Sequence, residues 1–265
     1  MSAAPIGIFD SGLGGLTVVH AIHRVLPHES TVYLGDTARV PYGPKSPTVV
    51  RRYSQEIAEW LLRQGVKAIV VACNTSTAHA LDTLVAAAPV PVVGVIHPGA
   101  EAAVAAAPAA PIGVIGTAGT VASGAYPAAI HAIAPAAVVV QQACPLFVPL
   151  VEEGWFDHEA TRLVAEQYLA PLAAAGVGSL VLGCTHYPLL APLLGRVMGS
   201  AVALIDSAEE TARATADVLD RSGLRAPASH SATRRYAVTD DPQRFEAVGR
   251  RFLGETLTGV EVVAL

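Results

Sequence analysis

Ala68-Ile69-Val70-Val71-Ala72-Cys73-Asn74-Thr75, residues 68–75, is the stretch from which the fold can be read. Five apolar residues run without a break, the pattern of a strand buried on both faces of a parallel sheet. The run stops at Cys73, and a helical pattern follows over about 75–88. On the N-terminal side, residues 48–64 place Val49, Tyr53, Ile57, Trp60 and Leu61 on one face of a helix, and Gly65 ends it. Further out come strands over 6–9 and 31–34, a helix over 16–26, and a strand over 92–95. Strand and helix alternate through short connections, which predicts an open parallel sheet.

The pattern then restarts. Ile6-Gly7-Ile8-Phe9-Asp10-Ser11 can be laid over Ile112-Gly113-Val114-Ile115-Gly116-Thr117, and Val70-Val71-Ala72-Cys73-Asn74-Thr75 over Val181-Leu182-Gly183-Cys184-Thr185-His186. Two strand-end motifs recurring in the same order predict two halves of similar fold. The expected class is α/β: two similar domains with mainly parallel sheets flanked by helices, and a site in the cleft between them. The turn composition of His97-Pro98-Gly99 suggests a boundary there. After Asp206-Ser207 a long helix over 208–222, a strand near 236–239, a helix near 245–253 and a last strand near 260–263 are expected to complete the first half. The reading is one domain over 1–97 plus 207–265 and a second over 98–206. The charged segment 222–235 has no assigned place.

Composition narrows the partners. The chain has 265 residues, 52% hydrophobic and 15% charged, too apolar for a disordered chain. A net charge of −5 with only 17 Lys and Arg argues against nucleic acid or an anionic membrane as partner. Mean hydropathy is positive, but the most apolar window, 84–107, is broken by Pro89, Pro91 and Pro98 and carries His97 and Glu101, so no spanning helix is expected. Residues 1–5 show no secretory signal. Three widely separated cysteines do not form a disulfide framework, and a cytoplasmic location follows.

Ligands of open parallel sheets bind at the carboxyl ends of strands. The polar residues there are Asp10-Ser11, Asp36, Cys73-Asn74-Thr75, Thr117 and Cys184-Thr185-His186. Cys73 and Cys184 hold equivalent positions in the two halves. If the halves face each other, their sulfurs address one cleft from opposite sides. A strand-to-helix turn lowers a thiol pKa, so each sulfur is expected to take or give a proton near neutral pH. Two such groups form a two-base pair. The opposing reading is two small buried hydrophobes, but Asn74-Thr75 and Thr185-His186 supply hydrogen-bonding neighbours that inert cysteines do not need. Cys144 lacks them and reads as structural. His186, two residues after Cys184, is expected to be an acid/base partner. The glycines of Asp10-Ser11-Gly12-Leu13-Gly14-Gly15 lack the spacing of a phosphate loop and suit close backbone approach. No Cys-x-x-Cys or His-Glu-x-x-His occurs, which speaks against a metal.

Taken together, Gly7-Ile8-Phe9-Asp10-Ser11-Gly12-Leu13-Gly14-Gly15, Pro41-Tyr42-Gly43 with Lys45-Ser46, Ala72-Cys73-Asn74-Thr75, Gly116-Thr117-Ala118-Gly119-Thr120, Cys144-Pro145-Leu146, Gly183-Cys184-Thr185-His186-Tyr187-Pro188-Leu189 and Asp206-Ser207-Ala208 resemble the aspartate/glutamate racemase superfamily, in particular its bacterial glutamate-specific branch. The blocks span nearly the whole chain in family order. The resemblance implies interconversion of L- and D-glutamate for peptidoglycan, without cofactor or metal, and a small molecule as partner; homodimers are common among relatives. It implies that Cys73 and Cys184 are the paired bases, the first deprotonating the D-isomer and the second the L-isomer, assisted by Asp10, His186 and Glu152. Substrate contacts carry over to Asp10, Ser11, Pro41, Tyr42, Gly43, Asn74, Thr75, Thr117, Thr185 and His186. Ser76-Thr77 depart from the small apolar residues of many relatives, which should matter to helix packing more than to chemistry. Some relatives are activated by a peptidoglycan precursor through an N-terminal extension, and no such activation is expected here.

The chemistry asks for donors where enolate-like charge develops on the substrate carboxylate. The Ser, Thr and Asn side chains beside both cysteines supply them, and Asp10 is expected beside the substrate ammonium. Three other readings remain open at this point. One is a sibling racemase or decarboxylase acting on aspartate, hydantoins or malonates. The others are a non-catalytic two-lobed binding protein and a redox sensor pairing Cys73 with Cys184, which would need the sulfurs within bonding range.

Overall fold

The computed structural model describes residues 2–265; Met1, the first residue of the stretch read for a secretory signal, lies outside them. The first half runs β1 (Ile6–Asp10), α1 (Leu16–Val25), β2 (Thr31–Gly35), α2 (Pro47–Arg63), β3 (Ala68–Val71), α3 (Asn74–Ala87), β4 (Val92–Gly94) and α4 (Ile96–Ala106). The second runs β5 (Ile112–Gly116), α5 (Ala118–Ser123), α6 (Ala125–Ile133), β6 (Val139–Ala143), α7 (Phe147–Glu152), α8 (Glu159–Ala174), β7 (Ser179–Gly183), a 3₁₀ turn (Tyr187–Leu190), α9 (Ala191–Met198) and β8 (Ala203–Ile205). The chain closes with α10 (Ser207–Arg221), β9 (Arg234–Val238), α11 (Pro242–Leu253) and β10 (Glu261–Val262).

Two sheets result, ordered β10-β9-β2-β1-β3-β4 and β6-β5-β7-β8, with every pairing parallel. The repeat seen in the sequence is a repeat of topology. β1 lies between β2 and β3 as β5 lies between β6 and β7. The tail returns: β9 pairs with β2, so the last elements extend the first sheet. The central strands β1, β3, β5 and β7 are buried along their whole length, as their unbroken apolar runs require. Among the described residues no helix is long and apolar enough to cross a membrane.

Two local expectations change. His97-Pro98-Gly99 is not a turn but the start of α4. Pro98 is its third residue, where a backbone N–H has no partner within the helix, so proline is tolerated. The α2 face is also rotated: Val50, Ser54, Ile57 and Leu61 are buried, while Val49 and Tyr53 are only half-buried. Tyr53 turns outward to lie under the Arg39 guanidinium, 4.0 Å from its ring centre. The segment 222–235 gains a place. Ala226 N donates to Glu29 Oε1 at 2.7 Å, Thr233 N donates to Ser30 Oγ at 2.9 Å, and Glu29 is paired at 2.5 Å with the buried Lys67. It thus ties the tail along the lower edge of the first sheet.

Candidate active site

The cysteine turns begin alike. Cys73 follows β3 and is the N-cap of α3, its Sγ accepting from Ser76 N at 3.4 Å. The Ser11 hydroxyl lies 3.9 Å from the same sulfur. Cys184 follows β7, its Sγ 4.0 Å from His186 Nδ1. His186 Nε2 is 3.1 Å from Glu152 Oε1 at the end of α7, and Arg244 Nη2 of α11 reaches Glu152 Oε2 at 3.4 Å. Phe252, also of α11, packs edge-on against the imidazole. The tail therefore builds the back of the Cys184 side.

The two turns meet. One small cavity of about 40 Å³ is lined by Ser11, Pro41, Tyr42, Gly43, Cys73, Asn74, Thr75, Thr117, Cys184, Thr185 and His186, together with Val40 and Val148. All the residues expected to contact substrate line it except Asp10. Hydrogen bonds cross between the halves around it: Thr75 Oγ1 to Thr117 Oγ1 at 3.0 Å, Gly119 N to Gly43 O at 2.9 Å, and Thr17 Oγ1 to Thr185 O at 3.3 Å. The glycine loop makes this approach possible. A Cβ on Gly14 would stand 2.3 Å from Thr185 Oγ1 and 2.5 Å from His186 Nδ1.

Asp10 is not among the residues that line the cavity. It is buried behind the cavity wall, with Gly12 N donating to Oδ1 at 3.0 Å and Thr185 Oγ1 to Oδ2 at 3.4 Å. Burial pushes its carboxyl up, opposed by the nearby His186. Glu152 stands outside the cavity, in the wall of an adjoining apolar hollow of about 390 Å³ that shares Val40, Pro41, Gly43, Thr117 and Val148 with it. Burial pushes the Glu152 carboxyl up, but the His186 hydrogen bond and Arg244 outweigh it and hold it below its ordinary value.

The thiols behave differently from expectation. Burial raises the pKa of both Cys73 and Cys184, and the amide at Cys73 only partly opposes it. A charge in an apolar enclosure loses more hydration than one helix start returns. Moreover, Cys184 precedes only a 4-residue 3₁₀ turn, so few aligned peptide dipoles stand behind it. Burial thus favours the neutral thiol at both positions. Cys144 is fully buried beside the T-shaped Phe147–Tyr187 pair and pushed up to about 12 by burial. Ser76 lies against the Cys73 sulfur through its backbone, while Thr77 Oγ1 donates to Val71 O at 3.0 Å and binds α3 to β3.

Sequence reasoning missed Val40, Val148, Arg244 and Tyr126. Val40 carried a signal as the neighbour of Pro41. The others lie on helices with ordinary patterns and become relevant only through contacts across the fold.

A pseudo-symmetric α/β protein that brings two thiol-bearing strand ends onto one small cavity falls in the class of α/β racemases. The chain belongs to the Asp/Glu/Hydantoin racemase family, whose model matches residues 12–215. It is an amino-acid racemase, an isomerase. It is similar to the glutamate racemase of Geobacter metallireducens, 54% identical over 260 residues that cover 98% of this chain and 96% of that one. Among solved structures it resembles glutamate racemase isoform RacE1 of Bacillus anthracis, with a TM-score of 0.96, 40% identity, and coverage of 100% and 99%. It also resembles the Francisella tularensis glutamate racemase in complex with D-glutamate, with a TM-score of 0.93, 36% identity, and coverage of 100% and 98%.

Proposed function

We propose that this chain interconverts L- and D-glutamate by two-base catalysis, Cys73 and Cys184 working on opposite faces of the α-carbon. The observation that carries the reading is that both sulfurs line one cavity with hydroxyl and amide donors between them. The choice of glutamate is supported by the relatives of about half-identical sequence and by the related enzyme bound to D-glutamate. The reading extends to D-glutamate made in the cytoplasm for peptidoglycan, and to domain limits of 1–97 plus 207–265 and 98–206.

In the forward direction one cysteine acts as thiolate and accepts the α-proton, and its electron pair becomes the new S–H bond. The C–H pair passes into the carboxylate, giving an enolate-like species. The opposite thiol then donates its proton to the other face and is left as thiolate. Proton count and charge balance, and the two sulfurs finish with exchanged protonation. Because burial favours the neutral thiols, a thiolate has to be made on demand. At Cys184 the proton passes to His186, whose imidazolium is balanced by Glu152 and behind it Arg244. The Cys73 thiolate forms when Cys73 has given its proton to the substrate carbanion; Ser76 N and Ser11 hold that anion, and the reverse reaction starts from it. Asp10, behind the wall, supports Thr185 and the Gly12 turn rather than touching the ligand. Asn74, Thr75, Thr117 and Thr185 meet the substrate carboxylates. At roughly 30 Å³ per liquid water, the cavity has room for about one, too little for an amino acid without the adjoining hollow. Val40 and Val148 line both spaces, so substrate enters by way of the hollow as these side chains or the two halves move apart.

The test is incubation of the purified protein with L-glutamate in D₂O, followed by chiral chromatography and mass spectrometry. The expected outcome is approach to equal amounts of the two isomers, with deuterium at the α-carbon of the D-isomer. Unchanged L-glutamate alongside racemised aspartate or a hydantoin would replace glutamate with that substrate. No inversion of any of these would end the reading.

A further inference from the structure

Tyr126 belongs to none of the motifs, yet it touches both cysteine turns. It stands at the start of α6 in the second half and is fully buried. Its hydroxyl donates across the halves to Asn74 Oδ1 at 2.8 Å, and Asn74 follows Cys73 directly. Its ring lies under Gly183, the residue before Cys184; a Cβ there would meet Tyr126 Cε2 at 3.0 Å. The third contact is a hydrogen bond with the side chain of Ser207, at the start of α10, where the chain recrosses to the first half.

These contacts set a direction. The single phenol proton is committed to Asn74 Oδ1. The two ends of a carboxamide have the same shape, so its partners decide which end faces which way. With Oδ1 taken by Tyr126, Nδ2 is the free end. It is buried without a hydrogen-bond partner among the described residues, on a side chain that lines the cavity.

We propose that Tyr126 is a positioning residue for racemisation, holding the Asn74 carboxamide with its N–H₂ end toward the cavity as a ready donor to a substrate carboxylate. The inference rests on the glutamate reading above. Without the phenol hydroxyl the amide can turn, and its carbonyl oxygen would then face the carboxylate and repel it. Both isomers carry the same carboxylates before any proton moves, so the loss is one of binding.

The experiment is Tyr126→Phe, assayed with L- and with D-glutamate, with Tm measured alongside. The expected result is a rise in KM of roughly 5–20-fold for both isomers with kcat changed less than about threefold. In an Asn74→Ala background the same substitution should change KM by less than about twofold, because its target is already gone. A lower Tm with unchanged KM, or an undiminished KM effect without Asn74, would assign Tyr126 to packing alone and overturn the inference. Should Tyr126→Phe fail to fold, Ser207→Ala reads the same relay one step back. A rise of about 2–4-fold in both KM values, absent without Asn74, supports it, and unchanged values overturn it. A wild-type protein inactive on glutamate would remove the parent reading instead.

Discussion

Cys73 caps a helix of 14 residues and takes a backbone amide to its sulfur, whereas Cys184, at the matching strand end, is followed by a 4-residue 3₁₀ turn and takes an imidazole. Behind Cys73 stand neutral donors, the Ser11 hydroxyl and the Ser76 amide. Behind Cys184 stands a chain of titratable groups, His186, Glu152 and Arg244, contributed by the 3₁₀ turn's approach, α7 and α11. The repeat thus places two sulfurs alike but gives them unlike surroundings. The lesson is that pseudo-symmetry in the backbone fixes the geometry of attack, while the proton supply on each side is decided locally. Symmetric chemistry on mirror-image substrates does not need symmetric machinery.

The strongest way to break this comparison is to remove either sulfur. Cys73→Ala and Cys184→Ala should each lower kcat/KM by about 10³-fold or more, since each loses an obligatory acid/base group. Circular dichroism of the two glutamate isomers follows the rate, and full activity in either variant would dismantle the paired-thiol scheme. A smaller effect tests the asymmetry. His186→Asn should cost roughly 10²-fold and Ser11→Ala about 10-fold or less, because only the first removes a proton acceptor. Mirror-image isomers have equal free energies, so each variant must show equal kcat/KM in both directions, and any asymmetry appears in kcat. A Ser11 effect as large as that of His186 would erase the distinction.

The smallest effect is one of pH. Glu152 is held below its ordinary value near 4.5 because His186 and Arg244 outweigh its burial. A carboxyl lowered in the folded state contributes stability above its unfolded value, and that contribution disappears as pH falls through the folded value. Urea unfolding from pH 6 to 3 should therefore show a loss on the acid side that Glu152→Gln largely removes, with activity at neutral pH lowered about 10-fold. An unchanged acid profile in that variant would place the Glu152–His186 pair outside the proton path of Cys184.

Much of the fold was legible because its signals are local. Unbroken apolar runs at 68–72 and 180–183 followed by Cys and Thr or Asn mark strands ending in turns, and their recurrence marked the two halves. Gly65 ends α2 at a positive φ of 72°, as a glycine there should. Where the reading differed, either the position within an element or a neighbour from another part of the chain was the reason. Pro98 looked like a breaker but sits in a helix's first turn, and the Arg39–Tyr53 contact rotated the exposed face of α2. Asp10 ends the strand as read, and its carboxylate takes Gly12 N and Thr185 Oγ1 as partners.

The amino-acid order alone settled the alternation of strands and helices, the repeat, and the two thiols at strand ends, since these follow from residue periodicity and turn chemistry within a few neighbours. Tertiary structure alone decided that the thiols share a cavity, that burial favours their neutral form, that Glu152 and Arg244 stand behind one of them, and that Tyr126 reaches Asn74. The physical reason is that solvent exclusion and hydrogen-bond direction depend on which surfaces meet in space, and residues as distant as 74 and 126 or 152 and 244 meet only once the chain has closed.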